Sequence, residues 1–170
     1  MILTERLRLR HATVDDAPSL FLAMSDPEVM RYWSTEPHPS VEDTASFVRR
    51  MMHGYVDGSG PDDFVVERDG VVVGKAGFWR ASELGFLLRR DQHGQGIARE
   101  ALQALVAHGF GPRAFTELHA EVDPENRRCL RLLTGLGFRV LRHVPRTLEL
   151  RGEWRDSLEL ALGFTDWRRP

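Results

Sequence analysis

The apolar and polar positions in the first third of the chain predict one strand followed by two helices. Residues 7–10 alternate apolar and charged side chains, as a half-buried strand does. Thr13 and Ser40 each precede a helical pattern and can cap it, since their hydroxyls accept from free backbone N–H groups. Breakers fill residues 54–61 and end the second helix. The apolar positions at helical spacing are Ala17, Leu20, Phe21 and Met24 in the first helix and Ala45, Val48 and Met52 in the second.

The next segment predicts an antiparallel meander of three strands. Residues 64–68 and 71–73 are rich in strand-forming side chains, and the pair Asp69-Gly70 separates them. Asp-Gly between two such runs is a strong hairpin signal, because both residues tolerate positive φ. Residues 77–79 prolong the second strand, and residues 84–88 supply the third.

The remaining pattern predicts helix, strand, helix and two closing strands. Their ranges are residues 98–108, 118–122, 126–136, 137–141 and 157–162. A meander combined with strand–helix–strand units in one short chain implies a mixed sheet covered by helices. The expected fold class is therefore α+β.

Composition restricts the function classes. The chain has 170 residues, 19.4 kDa, 42% hydrophobic residues and a formal net charge of −2. This length favours one domain over residues 1–170, and the charge gives no reason to expect nucleic acid or an anionic membrane as partner. Cys129 is the single cysteine, which excludes an intrachain disulfide and a cysteine-built zinc site; we expect no metal. No apolar signal core or spanning run is present, so we expect a cytoplasmic protein.

A glycine-rich turn at residues 92–96 carries the most chemical information. It joins a predicted strand to a predicted helix, whose first turn presents unpaired N–H groups and the positive dipole end. Gly94 and Gly96 lack Cβ atoms, so an anion such as a phosphate can approach the backbone. No Gly-Lys-Ser/Thr follows, which excludes a Walker A loop, and a dinucleotide fingerprint fits poorly. The alternative is an ordinary turn with convenient glycines.

The same turn resembles the acetyl-coenzyme A loop of the GNAT superfamily of N-acetyltransferases, Gln/Arg-x-x-Gly-x-Gly/Ala. Residues 93–98, His-Gly-Gln-Gly-Ile-Ala, match it except that His93 replaces Gln or Arg. Residues 121–126 and the later Leu-Gly-Phe at residues 136–138 are similar to a second family motif. Residues 3–10 and 26–33 resemble the RimJ/RimL-like branch, which acetylates protein N-terminal amines and small amines.

The resemblance implies a GNAT-like sheet, mixed but mostly antiparallel, with helices on both faces. It further implies an enzyme that uses acetyl-coenzyme A as cosubstrate, an acyltransferase that moves the acetyl group directly to a primary amine. The amine belongs to a small molecule or a protein N-terminus. A backbone N–H at Leu87 or Leu88 is expected to polarise the acetyl carbonyl. The implied cofactor-binding residues are Phe86, Leu87, Leu88, His93, Gly94, Gln95, Gly96, Ile97, Ala98 and Asn126.

Two side chains are the catalytic candidates under this resemblance. Glu121 occupies a strand position where some relatives carry a general base, which the amine needs because it is mostly protonated at neutral pH. Cys129 stands three residues after Asn126, where the branch tends to have Ser, and its thiol can protonate the departing sulfur. The alternatives are a solvated strand face for Glu121, a small buried residue for Cys129 and a helix N-cap for Asn126.

The acceptor side is expected to involve the first two helices and the third strand. Tyr32, Trp33 and Trp79 are the candidate substrate-binding residues, although large aromatic side chains are more often core. A second function remains open, a catalytically silent sensor that binds acetyl-coenzyme A. A third is a structural or interaction protein without cofactor binding. The family often forms dimers, which makes a homodimer an expected assembly.

Overall fold

The computed structural model describes residues 1–56 and 62–167, and the elements below belong to this part of the chain. It contains eight strands and four α-helices. Short 3-10 turns lie at Val14–Asp16, Met30–Tyr32 and Arg90–Gln92. In chain order the elements are β1 (Ile2–Leu3), β2 (Arg8–His11), α1 (Ala17–Met24), α2 (Val41–Val56), β3 (Asp63–Arg68), β4 (Val71–Arg80), β5 (Glu83–Leu88), α3 (Ile97–Phe110), β6 (Glu117–Val122), α4 (Arg127–Thr134), β7 (Arg139–Leu150) and β8 (Glu153–Gly163).

All eight strands form one sheet in the order β1-β2-β3-β4-β5-β6-β8-β7. Every neighbouring pair is antiparallel except β5 and β6, which run parallel. The expected mixed, mostly antiparallel α+β sheet is therefore confirmed. The Asp69-Gly70 turn of the predicted hairpin has φ values of 51° and 77°, the geometry that a tight hairpin turn requires.

Helices cover both faces of the sheet, because alternate residues of β3 face opposite sides. Phe64 and Val66 pack in the cluster that contains α3, whereas Val65 packs with α1 and α2. Both layers contain a cluster of buried apolar side chains, and the predicted helix positions Leu20 and Val48 are buried. In α2 the buried methionine is Met51, while the predicted Met52 is only partly buried.

The predicted closing strands at residues 137–141 and 157–162 are the ends of a much longer hairpin, β7–β8. Its outer half, residues 142–156, lies outside the predicted strand bounds. The short strand β1 also carried no recognisable pattern. A loop is predicted at residues 54–61, but residues 54–56 belong to α2, which ends at Val56. Residues 57–61 lie outside the described residues.

Across residues 1–56 and 62–167, no helix has the length and apolar character needed to cross a membrane. The same residues contain no group of three His, Cys, Asp or Glu side chains arranged to hold a metal ion.

Candidate functional site

The sheet opens between β5 and β6. These strands pair at one position, Glu83 opposite His119, where the His119 N–H donates to the Ser82 carbonyl at 2.9 Å. Beyond it, towards the carboxyl ends, no further pairing joins them in the described structure. Strand β6 continues in register with β8, while β5 stays with β4. The sheet is therefore splayed at its centre and leaves an open backbone edge on β5.

Leu88 directs its backbone towards this open edge. The Arg89 N–H donates to the Val73 carbonyl of β4 at 2.8 Å, and backbone groups point to opposite sides at successive strand residues. The Leu88 N–H and C=O therefore point away from β4, towards the gap. Of the two sequence candidates for a carbonyl-polarising N–H, Leu88 has this orientation and Leu87 has the opposite one.

The glycine turn between β5 and α3 has the backbone form that the sequence predicts. Gly94 and Gly96 have φ values of 76° and 78°, a region in which a Cβ atom is strained. Within the described residues, no protein acceptor lies within hydrogen-bond distance of the N–H groups of residues 94–99. These free donors and the helix dipole of the 14-residue α3 form a concavity whose polarity suits an anion.

The N-terminal segment at residues 4–6 holds this turn in place. Arg6 donates through Nη1 to the Gln95 carbonyl at 3.1 Å and through Nε to the Glu100 carboxylate at 2.6 Å. The Thr4 hydroxyl donates to the same carboxylate at 2.6 Å. On the other side, the Arg68 guanidinium donates to the Gln95 side-chain oxygen at 2.8 Å. The free donors are therefore fixed by contacts that leave them unused.

His93 stands at the position where the resemblance departs from the family pattern. Its Nε2 lies 2.9 Å from the Leu88 carbonyl oxygen, and because a carbonyl only accepts, Nε2 carries a proton. The His93 ring therefore joins the end of β5 to the glycine turn. The side chain of this residue supports the turn, and the backbone supplies the anion donors.

A cavity of about 690 Å³ adjoins the gap, with walls from α2, residues 31–35 and strands β3 to β8. Four residues singled out from the sequence line it: Tyr32, Trp33, Trp79 and Glu121. The cavity is within the size range of small-molecule sites. The structure therefore brings the three candidate acceptor residues and the candidate base into one space.

Glu121 is held by a short chain of hydroxyl groups. The Ser157 hydroxyl of β8 donates to Glu121 Oε1, and the Thr147 hydroxyl lies 2.5 Å from the Ser157 oxygen. Because Ser157 gives its proton to Glu121, Thr147 donates to Ser157. Oε2 of Glu121 has no protein partner among the described residues and faces the cavity. The carboxylate is thus oriented and keeps one oxygen open.

Strand irregularity directs Trp79 into the cavity. In the β4–β5 register, Phe78 faces Leu84 and Arg80 faces Glu83, so Trp79 is the extra residue of a β-bulge. Its indole N–H donates to the Glu83 carboxylate at 3.1 Å, and half of its surface stays exposed. Neighbouring Phe78 is fully buried and belongs to the core.

A buried ion pair lies at the inner end of the cavity. Lys75 Nζ is 2.7 Å from Asp63 Oδ2, and both side chains are almost inaccessible. The same ammonium lies 5.5 Å from the Trp33 ring centroid and 5.4 Å from that of Phe47. Burial raises the pKa of the Asp63 carboxyl above its usual range, and the nearby Lys75 charge opposes this rise.

Asn126 and Cys129 stand apart from the cavity, at the start of α4. Asn126 is the helix N-cap, since its Oδ1 accepts from the Cys129 N–H at 3.2 Å. The capping alternative is therefore observed, and the cofactor contact remains a prediction. Cys129 is partly buried against the main core cluster, and burial raises the pKa of its thiol to about 12. At neutral pH this sulfur carries a proton.

Cys129 is expected to react slowly with thiol reagents while the protein is folded. Alkylation needs the thiolate, and a pKa near 12 leaves little of it at pH 8. Iodoacetamide labelling followed by mass spectrometry measures the rate, with the denatured chain as control. The folded rate should rise with pH beyond 10; a folded rate equal to the denatured one at pH 8 contradicts the assignment.

The predicted site residues thus fall into two groups, those that line the cavity and those that do not. The acceptor residues and Glu121 line the cavity. The cofactor candidates Phe86, Leu87 and Leu88, residues 93–98 and Asn126 do not. Sequence reasoning missed Ser157, Thr147, Asp63 and Lys75. Ser157 and Lys75 lie on predicted strands, but a strand position alone does not identify a hydrogen-bond or ion-pair partner; Asp63 and Thr147 lie outside the predicted strands.

The fold is that of the GNAT acetyltransferases. The crystal structure of a GNAT-family acetyltransferase from Bacillus anthracis superposes with a TM-score of 0.84 at 27% identity. The alignment covers 95% of this chain and 97% of that one. A model of the acetyltransferase (GNAT) domain matches residues 6–139. The chain therefore belongs to the GNAT acetyltransferase family.

Two curated relatives extend over most of the chain. An uncharacterized N-acetyltransferase p20 from Bacillus licheniformis is 32% identical over 142 residues, 79% of this chain and 80% of the relative. The spermidine N(1)-acetyltransferase of Escherichia coli (strain K12) is 23% identical over 162 residues, 92% of this chain and 85% of the relative.

Proposed function

We propose that this chain, as one domain over residues 1–170, transfers an acetyl group from acetyl-coenzyme A directly to a primary amine. The observation that carries the proposal is the row of free N–H donors at residues 94–99 beside the open edge of β5. Anionic phosphates suit such a helix start, and an extended arm suits an unpaired strand edge. The Glu121 carboxylate in the adjoining cavity supplies the base that amine chemistry needs.

The residues present fit the cofactor. The N–H groups of residues 94–99 would hold the pyrophosphate, and Phe86 and Leu88 would pair with the pantetheine arm through their outward backbone groups. Acetyl-coenzyme A supplies the acyl group as a thioester when bound. The Leu88 N–H is the donor placed to polarise a carbonyl in the gap. Asn126 retains its side-chain NH₂ for a further contact, because only its Oδ1 is used in capping.

Two side chains handle protons in this proposal. Glu121 Oε2 accepts the proton that a primary ammonium must lose before its nitrogen becomes nucleophilic. Cys129 keeps its S–H proton at neutral pH and can donate a hydrogen bond to the departing thiolate. The proton stays on Cys129, because a pKa near 12 lies above the value of about 8.5 of an ordinary thiol. The high thiol pKa disfavours a covalent acetyl-cysteine route, which would need a thiolate.

The acceptor is an amine of a small molecule or a protein N-terminus, as in the RimJ/RimL-like branch that residues 3–10 and 26–33 resemble. The spermidine relative supports a small-molecule amine as one of these options. The cavity lining of Tyr32, Trp33 and Trp79 provides the apolar surface that either acceptor would contact.

A thiol-release assay tests the proposal. Acetyl-coenzyme A is incubated with the protein and a panel of amines, and free coenzyme A is quantified against time. We expect turnover with at least one amine and a thermal shift with coenzyme A. Cofactor binding without turnover on every amine favours the sensor, and no binding at all favours a structural protein.

Arg6→Ala is expected to weaken coenzyme A binding by about 3- to 10-fold, because the turn loses a hydrogen bond of about 1 kcal/mol. Arg8→Ala is the matched control, since Arg8 pairs with Glu67 at 2.6 Å, away from the turn. Titration calorimetry measures both dissociation constants. Equal affinity in the Arg6 and Arg8 variants excludes a positioning role for Arg6.

A further inference from the structure

The charged groups that line the cavity are balanced in number. Five cationic side chains face five carboxylates, so the cavity has no net charge at neutral pH. A site for a polycation would need an excess of carboxylates. The cationic residues are Arg31, Arg50, Lys75, Arg80 and Arg155, and the carboxylates are Asp63, Glu83, Glu121, Asp123 and Asp156.

Most of these charges are already paired. Lys75 lies 2.7 Å from Asp63, Arg80 lies 3.0 Å from Glu83, and Arg155 lies 3.6 Å from Asp123. These three ion pairs compensate one another. Two carboxylates, Glu121 and Asp156, are left without an Arg or Lys partner; Asp156 lies 2.8 Å from the His143 ring and accepts from the Arg146 N–H.

Among the described residues, four charged groups of the cavity have no Arg, Lys, Asp or Glu partner: Arg31, Arg50, Glu121 and Asp156. Within the described part of the chain, neither Arg31 nor Arg50 has a carboxylate within 4 Å, and Glu121 has no cation within that distance. Arg31 lies over the Tyr32 ring at 5.3 Å, and Arg50 lies over the Phe47 ring at 5.7 Å. The two guanidinium groups belong to the wall formed by residues 31–35 and α2, whereas Glu121 belongs to β6.

We infer that the acceptor is a primary amine that also carries an anionic oxyacid group, as a free amino acid does. Its ammonium would lie towards Glu121 and its carboxylate or phosphonate towards Arg31 and Arg50. Guanidinium groups favour such oxyanions, because their planar N–H donors match two oxygens. This inference rests on the proposed transferase function and names the class of its acceptor.

The aromatic surface of the cavity supports the same conclusion. Trp33 and Phe47 could attract a ligand cation, but the Lys75 ammonium already lies 5.5 and 5.4 Å from their ring centroids. A second ammonium at these rings would be repelled by Lys75. A linear polyamine can use Glu121 and Asp156, but it leaves both arginines unpaired and is repelled by them. A protein N-terminus can use Glu121 but leaves both arginines unpaired.

Matched acceptors test this inference in the thiol-release assay. Phenylalanine carries a carboxylate, which phenylalanine amide replaces with a neutral amide and 2-phenylethylamine lacks. Because these groups also change the pKa of the amine, kcat/KM is compared per neutral amine. The pair β-alanine and 2-aminoethylphosphonate distinguishes a carboxylate from a phosphonate, while spermidine and an alanine tetrapeptide represent the other acceptor classes. We expect kcat/KM to be at least about tenfold higher for phenylalanine than for its amide or 2-phenylethylamine, and higher for β-alanine or 2-aminoethylphosphonate than for spermidine or the peptide.

Variants link the preference to the two arginines. In Arg50→Gln and Arg31→Gln the ratio between acid and amide should fall towards one, and Arg50→Glu should favour the amide. Arg49→Gln is the control, because Arg49 is an exposed neighbour on α2 that does not line the cavity. It should keep the wild-type ratio.

Direct binding separates failure of this inference from failure of the proposed function. Each acceptor is titrated in the presence of coenzyme A, and the thermal shift is recorded. Preferential binding of the acids without turnover supports recognition of this class of ligand by the cavity and contradicts the proposed transferase function. If kcat/KM is higher for spermidine, the peptide or 2-phenylethylamine than for the acids, the acceptor class is overturned and the proposed transferase function stands. If the acids are neither bound nor turned over, the acceptor class is overturned as well.

Discussion

Glu121→Gln is expected to lower kcat by about 10²- to 10⁴-fold, the usual contribution of a positioned general base. The amide of Gln keeps the size and the Ser157 hydrogen bond but accepts no proton. Affinity for coenzyme A should stay at the wild-type value, because Glu121 lies in the cavity and away from the glycine turn. Thiol release at saturating cosubstrate gives kcat, and calorimetry gives the dissociation constant.

His119→Gln is the control for this variant. His119 lies on the same strand face as Glu121, but its ring is 3.2 Å from Glu117 and does not line the cavity. Its replacement should leave kcat unchanged. The kcat of Ser157→Ala should lie between those of Glu121→Gln and His119→Gln, because this variant loses the hydroxyl that orients Glu121. A wild-type kcat in Glu121→Gln would show that Glu121 is not the general base and is only a polar residue on the strand surface.

The order of elements was readable from the sequence because each predicted element buries one face. Leu118, Ala120 and Val122 alternate with polar residues on β6, and all three are buried. Asn126 illustrates the limit of such local reasoning, since a capping position and a cofactor position coincide there. The structure confirms the cap and leaves the second role as a prediction.

The outer half of the β7–β8 hairpin was not predictable, for physical reasons. Most of β7 is exposed on both faces, so no alternation between apolar and polar residues marks it. Pro145 lies within β7 and cannot donate a ladder hydrogen bond, which argues against a strand. The strand persists because it lies at the sheet edge and pairs with β8 alone.

The site depends on tertiary register that single residues do not reveal. Glu121 and Ser157 are 36 positions apart and meet because β6 and β8 are neighbours in the sheet. The gap beside β5 arises because its pairing with β6 stops after one position. Patterns within a strand cannot report how far that strand stays paired with another.

Lys75 connects the stability of the fold with the cavity. It is the only lysine in the chain, and it is buried between Asp63 and the aromatic wall. Lys75→Met is expected to lower the free energy of unfolding by about 3–5 kcal/mol at pH 7, because it leaves the buried Asp63 charge without its cation. Urea unfolding of both proteins measures the difference.

Double replacement and pH separate charge burial from lost packing. Asp63→Asn combined with Lys75→Met removes both charges and should recover most of the loss. In Lys75→Met alone, the raised pKa of Asp63 means that the native state binds a proton more tightly than the unfolded chain. The free energy of unfolding then falls as pH rises from the Asp63 pKa of the unfolded chain, about 3.9, through the higher Asp63 pKa of the native state. The deficit relative to wild type should therefore be largest at neutral pH and shrink towards pH 4. A deficit independent of pH, and unchanged in the double variant, would assign the loss to packing of the lysine stem.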